Sequence, residues 1–182
     1  MPAQAPLKIV PTSGTTGELR EFASGDFVDL AAGGTGATTA AGARTSLGLG
    51  SAAVAAILGT VSQSGGVPTG AIIQRGSNAN GEFVRYADGT QECWISINVP
   101  NSNVAAGGYA QLTGGWTFPA AFVSASVPVV VPAPHGSYAS AYRVGFDSTS
   151  NTSVPNIYIE NGRSATTPTP GSLNLLAKGR WF

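Results

Sequence analysis

GAIIQRGSNANGEFVRYADGTQECWISI, residues Gly70 to Ile97, decides the reading of this chain. Asp88-Gly89 is a turn dipeptide suited to the positive φ angles of a type I′ turn. Before it lies Glu82-Phe83-Val84-Arg85-Tyr86-Ala87, and after it Thr90-Gln91-Glu92-Cys93-Trp94-Ile95-Ser96-Ile97. Both runs are strand-length and rich in aromatic and β-branched residues. Ser77-Asn78-Ala79-Asn80-Gly81 is a turn cluster, so Ala71-Ile72-Ile73-Gln74-Arg75 forms the preceding strand. Three antiparallel strands therefore open a β-domain.

Downstream, strands are expected over residues 109–112, 122–131, 141–146, 156–159 and 173–181. Turn clusters at Asn101-Ser102-Asn103, Gly114-Gly115, residues 132–137, residues 147–153 and Asn161-Gly162 separate them. That spacing predicts an antiparallel β-sandwich over residues 70–182. Upstream, Thr38 or Thr39 is the expected N-cap of a helix running to Leu47, with Gly48 as its stop. Ala52-Ala53-Val54-Ala55-Ala56-Ile57-Leu58 reads as a second short helix, and residues 62–68 as a flexible linker. Residues 1–30 offer two short strands, at Lys8-Ile9-Val10 and residues 18–22, with turns at Ser13-Gly14 and Ser24-Gly25-Asp26. Their few apolar groups, among them Leu30, are too few to bury a core alone.

Charged residues make up 10% of the 182, against roughly 25% in typical soluble proteins. With 25 Gly, 12 Pro and a mean hydropathy of +0.12, the chain suits extracellular β-structures and oligomers whose subunits cover one another. Nine basic and nine acidic residues cancel, and no Lys/Arg cluster provides a footprint for nucleic acid. Cys93 is the single cysteine, which excludes a disulfide framework, and its strand position predicts a buried inert thiol. MPAQAPLKIVP lacks the layout of a secretory signal, and no apolar run is long enough for membrane insertion. Gly33-Gly34-Thr35-Gly36 lacks the Lys-Ser/Thr of a phosphate-binding loop.

Residues 70–91 with Trp94 resemble the start of the distal domain of bacteriophage and prophage tail fibres. Residues 33–50 resemble a fibre-shaft segment, and Gly179-Arg180-Trp181-Phe182 resembles the ending of such fibres. The resemblance implies a mainly β homotrimeric fibre. Residues 1–30 would attach it to a tail or baseplate protein, residues 31–69 would form a Gly/Ala-rich trimeric shaft, and residues 70–182 a β tip facing the host exterior. It also implies a virion protein that adheres to a host-surface receptor, most naturally a polysaccharide. A purely structural fibre is the alternative.

Aromatic rings in loops offer sugars flat apolar faces, and neighbouring amides and hydroxyls offer uncharged hydrogen bonds. Trp116, Tyr138 and Tyr142 are the candidate rings, with His135, Asn101, Asn103 and Asp147 beside them. Trp116-Thr117-Phe118-Pro119 reads equally as a plug at the base of the domain. Some fibres of that kind hold a metal with a His-x-His pair repeated around a threefold axis; here His135 is the only histidine, a three-His site on such an axis is the minor alternative, and no metal and no cofactor is expected. Glu82, Asp88, Glu92, Asp147 and Glu160 form no recognisable acid/base pair, and no serine lies in a nucleophile motif, so binding without catalysis is the expectation.

Overall fold

The computed structural model describes residues 7–13, 16–21, 26–28, 34–50 and 53–182. Gly14, Phe22, Ser24, Gly25, Leu30, Gly33 and Ala52, invoked above, lie outside them. The chain divides into two compact units, Met1–Val54 and Ala55–Phe182. It is mainly β, with several antiparallel sheets.

In the first unit, β1 (Leu7–Ser13) and β2 (Thr16–Glu21) pair as an antiparallel hairpin, Ile9 facing Leu19. Helix α1 (Ala40–Ser46) begins where the capping signal places it, the Thr39 hydroxyl accepting from the Gly42 amide at 3.0 Å. It buries no residue of its own. Ile9, Leu19, Leu47 and Leu49 are each at least half exposed, so the described part of this unit holds no apolar core.

In the second unit, β3 (Gln63–Ser64) and β4 (Val67–Pro68) make a small hairpin around Gly65-Gly66. The stretch expected to be a flexible linker is thus ordered, closed by the Thr69 amide donating to Ser62 O at 3.0 Å. Nor do residues 53–58 form the expected second helix. The Ile72 and Ile73 amides donate to Ala56 O and Ile57 O instead, which recruits the short alanine run into sheet-like pairing.

The remaining strands are β5 (Ile73–Asn78), β6 (Gly81–Tyr86), β7 (Thr90–Asn98), β8 (Asn103–Val104), β9 (Tyr109–Leu112) and β10 (Trp116–Thr117). They continue with β11 (Val129–His135), β12 (Tyr142–Phe146), β13 (Ser153–Val154), β14 (Ile157–Asn161), β15 (Thr167–Pro168) and β16 (Ser172–Arg180). A five-stranded sheet runs β11-β16-β7-β6-β5, and a three-stranded sheet runs β12-β14-β9. Both supply one core: Cys93, Leu173, Leu175 and Ala177 from the first, and Leu112, Tyr142, Ile157 and Ile159 from the second. Burial pushes the Cys93 thiol above its ordinary pKa, which keeps it neutral and unreactive.

The β6–β7 hairpin is present, but its turn differs from type I′. Only Gly89 has positive φ, at 93°. Its amide closes on Tyr86 O, and the Asp88 carboxylate accepts from the Thr90 amide at 2.8 Å. That is a three-residue loop with a left-handed glycine last. β11 starts seven residues later than expected and runs on to His135. Its Pro132 and Pro134 lack N–H groups and are accommodated because β11 is an edge strand.

The last strand, β16, lies between β11 and β7, and Trp181 Nε1 donates to Tyr86 O at 2.8 Å. The outer face of this sheet is apolar where Val131, Leu176 and Trp94 fall in one cross-strand row. Val129 and Val131 are more than half exposed there, beside the Lys178–Glu92 ion pair.

Candidate functional site

Asn101 and Asn103, with Tyr138 some way along the chain, line one open depression of about 460 Å³ with Ser102, Ser137, Pro168, Thr169 and Gly171. Short pairing between β8 and β15 sets Asn103 opposite Pro168. Thr169 fastens the 100–102 loop: its hydroxyl donates to Pro100 O at 2.7 Å and accepts from the Ser102 amide at 3.1 Å. Asn161, fully buried, ties the neighbouring loops together. Its side-chain amide reaches Val104 O, Ala105 O and Ala165 O at 2.9–3.2 Å, and its oxygen accepts from the Arg163 amide at 3.0 Å.

Tyr138 is the one described non-glycine residue with positive φ, at φ 68° and ψ 7°. The left-handed region costs an L-residue roughly 1–2 kcal/mol. Here it lies two residues after Gly136 and opens a single 3-10 turn over Ala139–Ala141, where Ala141 N donates to Tyr138 O at 2.8 Å. The ring is left 49% exposed at the rim.

The lining is amide, hydroxyl, phenol and backbone, with no carboxylate, imidazole, thiol or amine. A surface of that kind hydrogen-bonds neutral polyhydroxylated ligands and offers one ring for stacking. Among the described residues no group of three His, Cys, Asp or Glu side chains could hold a metal ion. No described helix is long and apolar enough to cross a membrane.

Two of the candidate rings do not belong to this surface. Trp116 is 2% exposed, its indole donates to Asn80 O at 2.9 Å, and it stacks edge-to-face on Phe118, which meets Phe122 likewise. Its ring belongs to the hydrophobic core. Tyr142 is also buried, and its hydroxyl reaches Thr167 O at 2.6 Å and Pro168 O at 2.7 Å. Tyr142 therefore supports the wall of the depression from beneath, and burial raises its phenol pKa. His135 is exposed at the end of β11 but does not line the depression. Asp147 lines a different one and accepts from the Tyr158 hydroxyl at 2.6 Å. Sequence reading missed Thr169 and Asn161. The Thr-Pro alternation from Thr167 to Pro170 was a signal for the first, whereas Asn161-Gly162 looks like any turn.

No family profile and no curated protein sequence matches the chain. Solved structures do. The R1 pyocin fibre of P. aeruginosa, comprising C-terminal residues 323–701, is 25% identical with a TM-score of 0.51, over 98% of this chain and 41% of that one. An N-truncated R1-type pyocin tail fibre is 25% identical over 79% of this chain and 98% of its own, with a TM-score of 0.45. The R2 pyocin fibre of P. aeruginosa is 21% identical over 99% and 39%, with a TM-score of 0.39. The chain thus spans about 41% of the R1 fibre it matches over nearly its whole length. In fold and in sequence the chain is therefore similar to a phage-tail-like fibre, that of the R1 pyocin.

Proposed function

We propose that the chain is the receptor-binding end of a tail fibre, that it works as a homotrimer, and that it binds a host-surface polysaccharide without cleaving it. The observation that carries this reading is the uncharged depression around Asn101, Asn103 and Tyr138, with its strained, exposed ring. The first unit attaches to the tail or baseplate, and the second faces the host exterior. Trimerisation is supported by apolar surface that a lone chain leaves in water: Ile9, Leu19, Leu47 and Leu49 in the first unit, and the Val131–Leu176–Trp94 row in the second. Shallow sites suffice, because three per fibre raise avidity by about 10²–10⁴ without new contacts. Binding without chemistry is supported by a lining that holds no acid, base or nucleophile beyond hydroxyls.

Fluorescently labelled protein is expected to stain susceptible cells, and purified surface polysaccharide from those cells should displace it. Staining that free polysaccharide leaves untouched would place the receptor elsewhere. No staining of any susceptible host, together with unblocked adsorption by antibody against the protein, would make it a structural fibre.

A further inference from the structure

The outer face of the β12-β14-β9 sheet carries a second constellation. Along β14, Ile157, Ile159 and Asn161 turn inward and are fully buried, so Tyr158 and Glu160 point out. Register sets Tyr109 of β9 opposite Glu160, and Gly145 of β12 opposite Tyr158. A Cβ at Gly145 would meet nothing within 4 Å, so no side chain covers Tyr158 from that strand. The Tyr109 and Tyr158 rings meet edge-to-face, with centroids 5.5 Å apart and planes at 78°, and Tyr109 is 68% exposed. The two rings, Asp147, Glu160 and Gly107 enclose a depression of about 370 Å³.

Two carboxylates and no cationic side chain line this depression. Among the described residues neither Asp147 nor Glu160 has an ion-pair partner, and Asp147's one hydrogen bond is the neutral one from Tyr158. Arg143 faces Glu160 across the strands without forming an ion pair with it. The hydrogen bond to Asp147, then burial, then the charges of Asp147 and Tyr109 raise the Tyr158 phenol pKa. Two carboxylates are too few for a metal cage, and among the described residues no third ligating side chain joins them. Aromatic faces attract organic cations through their quadrupole, and carboxylates beside them add charge that a neutral sugar would leave unpaired.

We propose that the Tyr109–Tyr158 pair, with Asp147 and Glu160, is a second ligand site that binds an organic ammonium group, specifically the free amine of an unacylated amino sugar. This site does not depend on the Tyr138 depression. The two differ in chemistry, one neutral and one anionic, so together they would select a glycan carrying both neutral and amine-bearing residues.

The test is calorimetric titration of the full chain with chitosan oligomers and, separately, with chitin oligomers of the same length, at a pH where the amine is protonated. The backbone is shared, and only the amine or acetamide differs. The chitosan oligomer is expected to bind at least tenfold more tightly, with affinity falling as salt is raised. Asp147→Asn combined with Glu160→Gln should erase that preference, Tyr109→Ala should weaken chitosan binding at least tenfold, and Tyr138→Gly should keep the preference of chitosan over chitin. All the altered side chains lie on the outer surface, and an unchanged melting temperature verifies folding. Equal affinity for both oligomers, or no binding of either, overturns the proposal. So does loss of the chitosan preference in Tyr138→Gly alone, which would put the ligand in the first depression and leave the receptor-binding reading standing.

Discussion

Leu176→Asp is expected to convert the assembled protein into single folded chains. Leu176 sits at the centre of the row that Val131 and Trp94 complete, with its side chain 40% exposed on the outer face of the five-stranded sheet. Within the lone chain that substitution costs little, because Leu173, Leu175 and Ala177 supply the inward face of β16. In a subunit interface the balance reverses. Losing a buried leucine side chain forfeits about 1.5–3 kcal/mol per site. Trapping an unpaired carboxylate there adds several kcal/mol more. Three copies multiply the effect, so the association equilibrium should move by many orders of magnitude. Light scattering should give close to three times the 18.2 kDa chain mass for the parent and one chain mass for Leu176→Asp. A variant that keeps the parent's mass would show that this face lies outside the interface.

The second large effect belongs to Asn161. Its amide group has two hydrogens and serves three carbonyls, those of Val104, Ala105 and Ala165, while its oxygen holds the Arg163 amide. Asn161→Ala removes the partner of those groups at a position that is itself fully buried. At about 1 kcal/mol net per bond, with a further penalty for buried groups left unpaired, the loss is about 3–5 kcal/mol. That is a large share of the roughly 5–15 kcal/mol that stabilises a domain. For a chain of this size it corresponds to a fall in Tm of about 10 °C. Because the loosened loops lead into Asn103 and Pro168, polysaccharide binding should fall as well, although Asn161 touches no ligand. A change in Tm below about 2 °C would mean that water replaces the amide at no cost.

What could be read in advance was local. The β6–β7 hairpin, the Thr39 cap and the β9 strand follow from alternation, capping and turn residues within a few positions of one another. Even there the turn type was misread, because Asp88-Gly89 fits two loop geometries and the closing bond from Gly89 to Tyr86 decides between them. Tertiary context defeated the rest. Trp116 and Tyr142 look like loop aromatics, and only the folded core shows that their rings are buried while Tyr138 stays out. The alanine run near residue 55 has helical composition, but its carbonyls are claimed by Ile72 and Ile73. Tyr109 and Tyr158 are 49 positions apart, and nothing in the sequence marks them as neighbours until the β14–β9 register is known. Asn101, Asn103 and Tyr138 were chosen for their chemistry, and the fold brought them together.

The receptor-binding account is tested most directly by Tyr138→Gly in the full chain. Glycine accepts the left-handed backbone without strain, so stability should be unchanged or higher by about 1 kcal/mol. The exposed ring, and with it the stacking surface, is gone. Staining of susceptible cells by the labelled variant should fall to background while its melting temperature holds. Undiminished staining by a variant that melts like the parent would contradict the account.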